Sequence, residues 1–220
     1  KPVYDWLPLS RLVVLENSTN KGGGNYYELE EIHAIKQVCD KHRLKLHLDG
    51  SRLFNVLVET AEDPLEIGKL FDSISICLSK GLGAPVGSVL IGGKEDIVKA
   101  RRFRKVMGGG MRQAGILAAA GIYALENNIH RLADDNARAR ELGQCLEQLD
   151  SVASVKPVKT NIVIFTLKNE EADSYLKRLE ENGILGVAFG PRQVRFVTHM
   201  HFCDKQLKKV MEILRMLDKN

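Results

Sequence analysis

The chain has 220 residues, 44% of them hydrophobic and 27% charged, which is the composition of an ordinary globular protein. Its formal net charge of +4 is too small to argue for nucleic-acid binding. The longest apolar run, from Gly115 to Leu125, is too short to span a membrane, and we find no signal-peptide pattern at the start. We therefore expect a protein with no nucleic-acid partner and no membrane partner.

In chain order, the first half of the sequence alternates short apolar runs with helical patterns. The apolar runs, bounded by turn residues, predict strands at residues 11–16, 44–49, 72–78 and 86–92. Helical periodicity predicts helices at 27–42, from Arg52 onward, at 94–106 and at 113–126. The last of the strands follows a short turn and is expected to be antiparallel. The sequence thus predicts an α/β fold with a mostly parallel sheet.

A long polar helix is predicted at 129–149, and the pattern changes after it. Strands are predicted at 161–167 and 194–198, and helices at 170–182 and 204–217. This order indicates a small second α/β domain. We place a partial large domain at residues 1–127 and a small C-terminal α/β domain at residues 128–220.

Four cysteines are scattered along the chain, at Cys39, Cys77, Cys145 and Cys203. They show no spacing typical of a metal site, and free thiols are typical of a reducing compartment, so we expect a cytoplasmic protein. The histidines pair at ligand spacing only at His199 and His201. Because no third ligand is nearby, we expect no metal.

A lysine stands where the strand that begins at Asp72 ends, and a glycine-rich turn follows it. In open α/β sheets, ligands bind beyond the carboxyl ends of the strands. Desolvation there would favour the neutral amine of Lys80, which is the form that attacks a carbonyl, so Lys80 is a Schiff-base candidate. The alternative is a lysine that extends from the strand end into solvent.

Asp49 ends the neighbouring strand in the same way, followed by Gly50 and a predicted helix. One βαβ unit separates Asp49 from Lys80, so a right-handed crossover would place both at the same edge of one sheet. A carboxylate and an amine could then face one ligand. The alternative for Asp49 is an N-cap of the following helix.

Three motifs resemble those of the threonine aldolases: Asp-Gly-Ser-Arg-Leu-Phe-Asn from Asp49, Leu-Ser-Lys-Gly-Leu-Gly-Ala-Pro-Val-Gly-Ser from Leu78, and Met-Gly-Gly-Gly-Met-Arg-Gln-Ala-Gly from Met107. The resemblance runs from about Leu15 to Phe202. Threonine aldolases are pyridoxal 5'-phosphate enzymes of the aspartate-aminotransferase fold, fold type I, and are grouped with β-eliminating lyases. The resemblance implies this fold and this cofactor.

The resemblance also implies which residues bind the cofactor. Lys80 would hold it covalently, Asp49 would pair with its pyridine nitrogen, and Arg52 would contact its phenolic oxygen. The family residues that match Lys105 and Arg112 reach toward the cofactor phosphate of a neighbouring subunit. This implies a homo-oligomer, a dimer or a homotetramer, with the site at the subunit interface. By residue type alone, a basic helix such as 94–106 is more often a solvent-exposed face.

For the substrate, Arg195 is notable because it lies on an otherwise apolar strand and needs an anion or a hydrogen-bonded partner. A structural salt bridge is one reading, while the resemblance implies that Arg195 binds the α-carboxylate of an amino acid. Arg192 in the adjacent turn is the second candidate. Thr19 matches a position where many relatives have a histidine that touches the substrate side chain, so we assign it to substrate binding.

The resemblance implies a carbon–carbon lyase that cleaves L-threonine, L-allo-threonine or a related β-hydroxy-α-amino acid to glycine and an aldehyde. A β-eliminating lyase or a racemase would use Lys80 and Asp49 as well, and an inactive fragment of such an enzyme is a further alternative. Relatives carry a phosphate-binding turn and a ring-stacking histidine in an N-terminal part. We expect that part to lie outside this chain.

Overall fold

The computed structural model describes residues 4–219, which form two four-stranded sheets and eight helices. The strands are β1 (Leu12–Glu16), β2 (Lys45–Asp49), β3 (Ser73–Cys77), β4 (Ser88–Gly92), β5 (Val152–Val155), β6 (Ile162–Leu167), β7 (Val187–Gly190) and β8 (Gln193–Val197). The helices are α1 (Leu29–Lys41), α2 (Leu53–Thr60), α3 (Pro64–Leu70), α4 (Lys94–Val106), α5 (Gly115–Asn127), α6 (Leu132–Glu147), α7 (Ala172–Glu181) and α8 (Asp204–Asp218).

The first sheet has the order β1-β2-β3-β4. The first three strands are parallel, and β4 is antiparallel to β3. The α/β fold, the mostly parallel sheet and the antiparallel strand are therefore confirmed. Asp49 is in register with Ser75, so β2 and β3 end at the same edge. This edge is where parallel strands leave room for a ligand.

The core of this sheet follows from the alternation of side chains along its strands. Leu46 and Leu48 of β2 are fully buried, and Ile74 and Ile76 of β3 point to the core in the same way. Complete burial of one such side chain contributes about 1.5–3 kcal/mol. Helix α1 covers them with its apolar face, on which Ile32 is buried. This packing against α1 fixes the position of the strands.

The second sheet is antiparallel, with the order β5-β6-β8-β7. Its core is built on Phe165, Tyr175 and Phe196, with helices α7 and α8 packed against it. The predicted small α/β pattern is confirmed, but β5 and β7 are absent from the prediction. Both have only four residues, too few for a periodic pattern to stand out. Helix α3 is also absent from the prediction. It has only seven residues, and the side chain of its N-cap, Asp63, accepts a hydrogen bond from the Leu65 backbone N–H.

Helix α6 connects the two cores. Its first residue, Leu132, packs with the first sheet, whereas Ala139, Leu142 and Leu146 pack with the second. The predicted helix 129–149 is therefore present with shorter ends. The domain boundary between residues 127 and 128 stays a prediction. Within residues 4–219, no helix combines the length and the apolar character needed to cross a membrane.

The loop at residues 17–25 also joins the two sheets, because it leaves β1 and contacts the segment before β6. The Thr160 hydroxyl donates to the Gly24 carbonyl at 2.8 Å, and the Lys156 amine donates to the Lys21 carbonyl at 3.1 Å. Gly24 has a φ of 79°, and a Cβ there would lie 2.3 Å from the Thr160 Oγ1. This close approach requires a residue without a side chain.

We expect Gly24→Ala to destabilise the protein by about 1–3 kcal/mol, because alanine would be strained at this φ and would displace the Thr160 hydroxyl. The matched control is Gly68→Ala in α3, where a Cβ would meet no atom within 4 Å. The control should change stability by less than about 1 kcal/mol. Urea unfolding of the full-length protein measures both, and equal midpoints for the two variants would contradict this account of the loop.

Candidate functional site

The turn that follows β3 presents Lys80 at the carboxyl edge of the first sheet. Three backbone hydrogen bonds shape the turn: Leu78 N to Gly87 O at 2.9 Å, Ala84 N to Leu78 O at 3.0 Å, and Gly83 N to Lys80 O at 2.9 Å. The Lys80 side chain is exposed in this structure. Of the two readings of Lys80, the structure therefore agrees with a lysine that extends toward solvent, because the turn carries it past the buried part of the strand. Its role as the Schiff-base lysine stays a prediction.

A cavity of about 410 Å³ lies beside Lys80. Three segments line it: Arg52 before α2, the turn at residues 79–84, and residues 197–201 at the end of β8. Asn161, just before β6, completes the lining. The cavity therefore lies between the carboxyl edge of the first sheet and the end of a strand in the second.

Asp49 ends β2 at the same edge, as predicted. Its Oδ1 accepts hydrogen bonds from the Ser51 backbone N–H at 3.0 Å and from the Ser51 hydroxyl at 2.6 Å. The N-cap position of α2 is occupied by Arg52, so Asp49 is not the cap of that helix. No hydrogen bond to the Asp49 Oδ2 is found within residues 4–219. This oxygen is left for a further donor.

Arg52 and Arg195 each contain a buried Nε without a hydrogen-bond partner in the described part of the chain. Burial, and next the positive charge of Arg195, lower the pKa of the Arg52 guanidinium. Arg52 follows β2 of the first sheet, whereas Arg195 lies on β8 of the second, and their like charges repel. Buried guanidinium groups of this kind need anionic or hydrogen-bonding partners, and carboxylate or phenolate oxygens suit them.

Asn20 provides the hydrogen bond that orients Arg195. Its Oδ1 accepts from Arg195 Nη1 at 2.6 Å, and the guanidinium carbon lies 5.0 Å from the centre of the Phe189 ring. Arg195 makes no salt bridge within residues 4–219, so the structural ion pair considered for it is not formed there. Arg192 instead donates to the Lys168 carbonyl at 2.8 Å and is exposed.

Thr19 is half-buried in the loop at residues 17–25. Its backbone N–H and its hydroxyl both donate to the Asn25 carbonyl, at 2.8 and 3.0 Å. Thr19 thus stabilises the loop, and the residue after Thr19, Asn20, contacts Arg195. Its predicted contact with substrate stays a prediction.

Lys105 and Arg112 are not among the residues that line the cavity beside Lys80. Lys105 lies in the last turn of α4, with its amine 3.5 Å from the Gly110 carbonyl, and Arg112 follows α4; both are exposed. Their predicted role at the cofactor site of a neighbouring subunit stays a prediction.

The structure also brings residues to the cavity that were not proposed for it, namely Asn161, Thr198 and His199. The Asn161 amide donates to the Thr198 carbonyl at 2.9 Å. This hydrogen bond joins the residue before β6 to the residue after β8. The rings of His199 and His201 have centroids 5.9 Å apart. No group of three or more His, Cys, Asp or Glu suited to a metal was found in residues 4–219.

These residues fit a flat anionic cofactor that carries a carbonyl group. Lys80 supplies an amine, Asp49 a carboxylate with one oxygen not hydrogen-bonded in the described chain, and Arg52 an unpartnered buried Nε. The fold is that of the fold type I pyridoxal phosphate enzymes. A threonine aldolase structure from Leishmania major has this fold, with a TM-score of 0.79 and 23% identity over 98% of this chain and 64% of that one.

The sequence comparisons identify the family. Residues 5–170 match the family described as beta-eliminating lyase, and the chain belongs to it. It is 39% identical to low-specificity L-threonine aldolase 1 of Arabidopsis thaliana, over 87% of this chain and 55% of that protein. It is also 39% identical to the low specificity L-threonine aldolase of Escherichia coli, over 91% of this chain and 58% of that protein. The chain therefore spans somewhat more than half the length of these relatives.

Proposed function

We propose that the protein is a pyridoxal phosphate-dependent carbon–carbon lyase that cleaves threonine, allo-threonine or a related β-hydroxy-α-amino acid to glycine and an aldehyde. The observation that carries the proposal is that Lys80 and Arg52 line one cavity between the two sheets, while Arg52 and Arg195 each have a buried Nε without a hydrogen-bond partner in residues 4–219. The relatives named as threonine aldolases support the same activity.

In this proposal, three residues at the carboxyl edge of the first sheet would hold the cofactor. Lys80 would bind it covalently, Asp49 would keep its pyridine nitrogen protonated through the free Oδ2, and Arg52 would donate to its phenolic oxygen. When bound, the cofactor acts as an electron sink for the bond that breaks between Cα and Cβ. Ser51 fixes the Asp49 carboxylate through Oδ1, so that Oδ2 keeps one direction.

Arg195 binds the α-carboxylate of the substrate. Its planar fork suits a two-point contact, and Asn20 together with the Phe189 ring holds the guanidinium in one orientation. Fixing the carboxylate restricts the amino acid to one pose beside Lys80, which lowers the entropic part of the barrier. Loss of the β-hydroxyl proton then accompanies Cα–Cβ cleavage, and Thr19 lies in the loop that we assign to the substrate side chain.

Product analysis tests the reaction type. The full-length protein with pyridoxal phosphate should convert L-threonine to glycine and acetaldehyde in equal amounts, measured by amino-acid chromatography and carbonyl derivatisation. A β-eliminating lyase would instead release ammonia and 2-oxobutanoate, and a racemase would invert Cα alone and release D-allo-threonine with no aldehyde. Either of these patterns, or no turnover, would contradict the proposal.

Arg195→Lys should lower kcat/KM for threonine by about 10- to 100-fold, because a lysine cannot make the two-point contact with a carboxylate. Arg192→Lys is the matched control: it is three residues away and exposed, and its side chain donates to the Lys168 carbonyl. Its kcat/KM should stay close to that of the natural protein. Steady-state kinetics with threonine measures both, and an equal loss in the two variants would mean that Arg195 has no special role.

We further propose a cytoplasmic homo-oligomer, a dimer or a tetramer, in which Lys105 and Arg112 reach the cofactor phosphate of a neighbouring subunit. Helix α4 has no buried residue, and exposed apolar side chains lie at its last residue, Val106, and after it at Met107 and Met111. Apolar side chains next to a basic helix suit a protein interface.

Mixed assemblies test the shared site. Lys80→Ala and Arg112→Ala should each inactivate the full-length protein, yet co-expression of the two should restore activity, because a mixed pair of subunits contains one site with both groups. Lys80→Ala with Asp49→Ala is the matched control, and it should stay inactive because both groups belong to the same chain's site. Activity of threonine cleavage in the purified mixed assemblies is the readout. Failure of the first pair, with assembly confirmed by two affinity tags, would contradict a shared site.

A further inference from the structure

Two side chains from the junction of α5 and α6 hold the backbone of the turn that carries Lys80. The Asn128 amide donates to the Leu82 carbonyl at 2.7 Å, and Arg131 Nη1 donates to the Gly81 carbonyl at 3.2 Å. These carbonyls belong to the two residues that follow Lys80. The turn is therefore fixed from outside as well as by its own hydrogen bonds.

Arg131 is itself held by a buried carboxylate. Its Nη2 donates to Oδ1 of Asp135, one helical turn further along α6, and Asp135 is fully buried. Burial raises the pKa of the Asp135 carboxyl, and the hydrogen bond from Arg131 opposes that rise, with the charges of Arg131, Arg138 and His199 acting in the same direction. The guanidinium thus bridges a buried acid and the Gly81 carbonyl with two different nitrogens.

The same stretch of α6 is bonded to the end of β8. The Thr198 hydroxyl donates to the Asp135 backbone carbonyl at 2.7 Å, and Thr198 lies three residues after Arg195. The next part of this segment also touches the turn directly: a Cβ on Gly83 would lie 2.4 Å from the Met200 sulfur. The start of α6 therefore contacts both the Lys80 turn and the strand of Arg195.

This double attachment matters because Lys80 and Arg195 belong to different sheets. No hydrogen bond within either sheet sets the distance between the amine and the guanidinium. The start of α6 is bonded to both sides, so it can set that distance.

We propose that Asn128, Arg131 and Asp135 are positioning residues that hold the Lys80 turn at a fixed place relative to the end of β8. The inference rests on the proposed function, in which Lys80 and Arg195 act on one amino-acid substrate. The planar fork of Arg131 reaches its two acceptors with two separate nitrogens, whereas the shorter reach of one lysine ammonium would have to serve both.

Amide hydrogen exchange of the full-length protein tests the positioning without relying on activity. In Arg131→Lys and in Asn128→Ala, the amides of Gly83 and Ala84 should exchange about three- to tenfold faster, as expected for the loss of one hydrogen bond that supports the turn. The matched control is Arg140→Lys, which lies on the same helix and bonds to Glu59 at 2.6 Å without touching the turn. Its turn amides should exchange as in the natural protein.

Kinetics provides the second readout. The two turn variants should lower kcat/KM for threonine about tenfold or more, because a small displacement of a reacting group is costly, whereas Arg140→Lys should not. If Arg131→Lys does not fold, the result for Asn128→Ala tests the inference, since this variant removes the hydrogen bond to the Leu82 carbonyl and leaves Arg131 in place. Unchanged turn exchange, or an equal increase in all three variants, would overturn the inference. Faster turn exchange in a protein that cleaves no threonine would leave the positioning intact and reject the proposed function.

Discussion

The incomplete pairing of two guanidinium groups, those of Arg52 and Arg195, is the constraint on which the site depends. Each has an Nε without a partner in residues 4–219, and the charge of Arg195 adds to burial in lowering the pKa of Arg52. Such an arrangement is costly unless an anion is present. A cofactor oxygen for Arg52 and a substrate carboxylate for Arg195 would both relieve it, so the cost in the free protein becomes binding energy for the proposed ligands.

The two sheets contribute different things to this site. The parallel sheet places Asp49, Arg52 and Lys80 at one edge, because its strands end together. The antiparallel sheet delivers Arg195 from β8, and the loop after β1 supplies Asn20 to orient it. That loop and the start of α6 both contribute contacts that hold the halves together. The site is therefore a property of the junction and not of either sheet alone.

Much of this arrangement is predictable from the sequence, for identifiable reasons. Lys80 and Asp49 follow apolar strands, and parallel strands end at one edge, so their placement needs only local pattern and a rule of topology. Asn20 lies in a polar loop with no periodicity, and its contact with Arg195 spans 175 residues, so no local signal indicates it. The sequence leaves open whether Lys80 is desolvated or exposed, because this depends on what covers the turn, which the residues near Lys80 do not determine.

Covalent trapping tests the central claim, that Lys80 and its neighbours form a pyridoxal phosphate site, most directly. The full-length protein would be mixed with pyridoxal phosphate and reduced with borohydride, and the modified peptide would be mapped by mass spectrometry. We expect one modified lysine per chain, at Lys80, and a weaker modification when Asp49 is replaced by Ala. Modification of another lysine, or of none, would contradict the account.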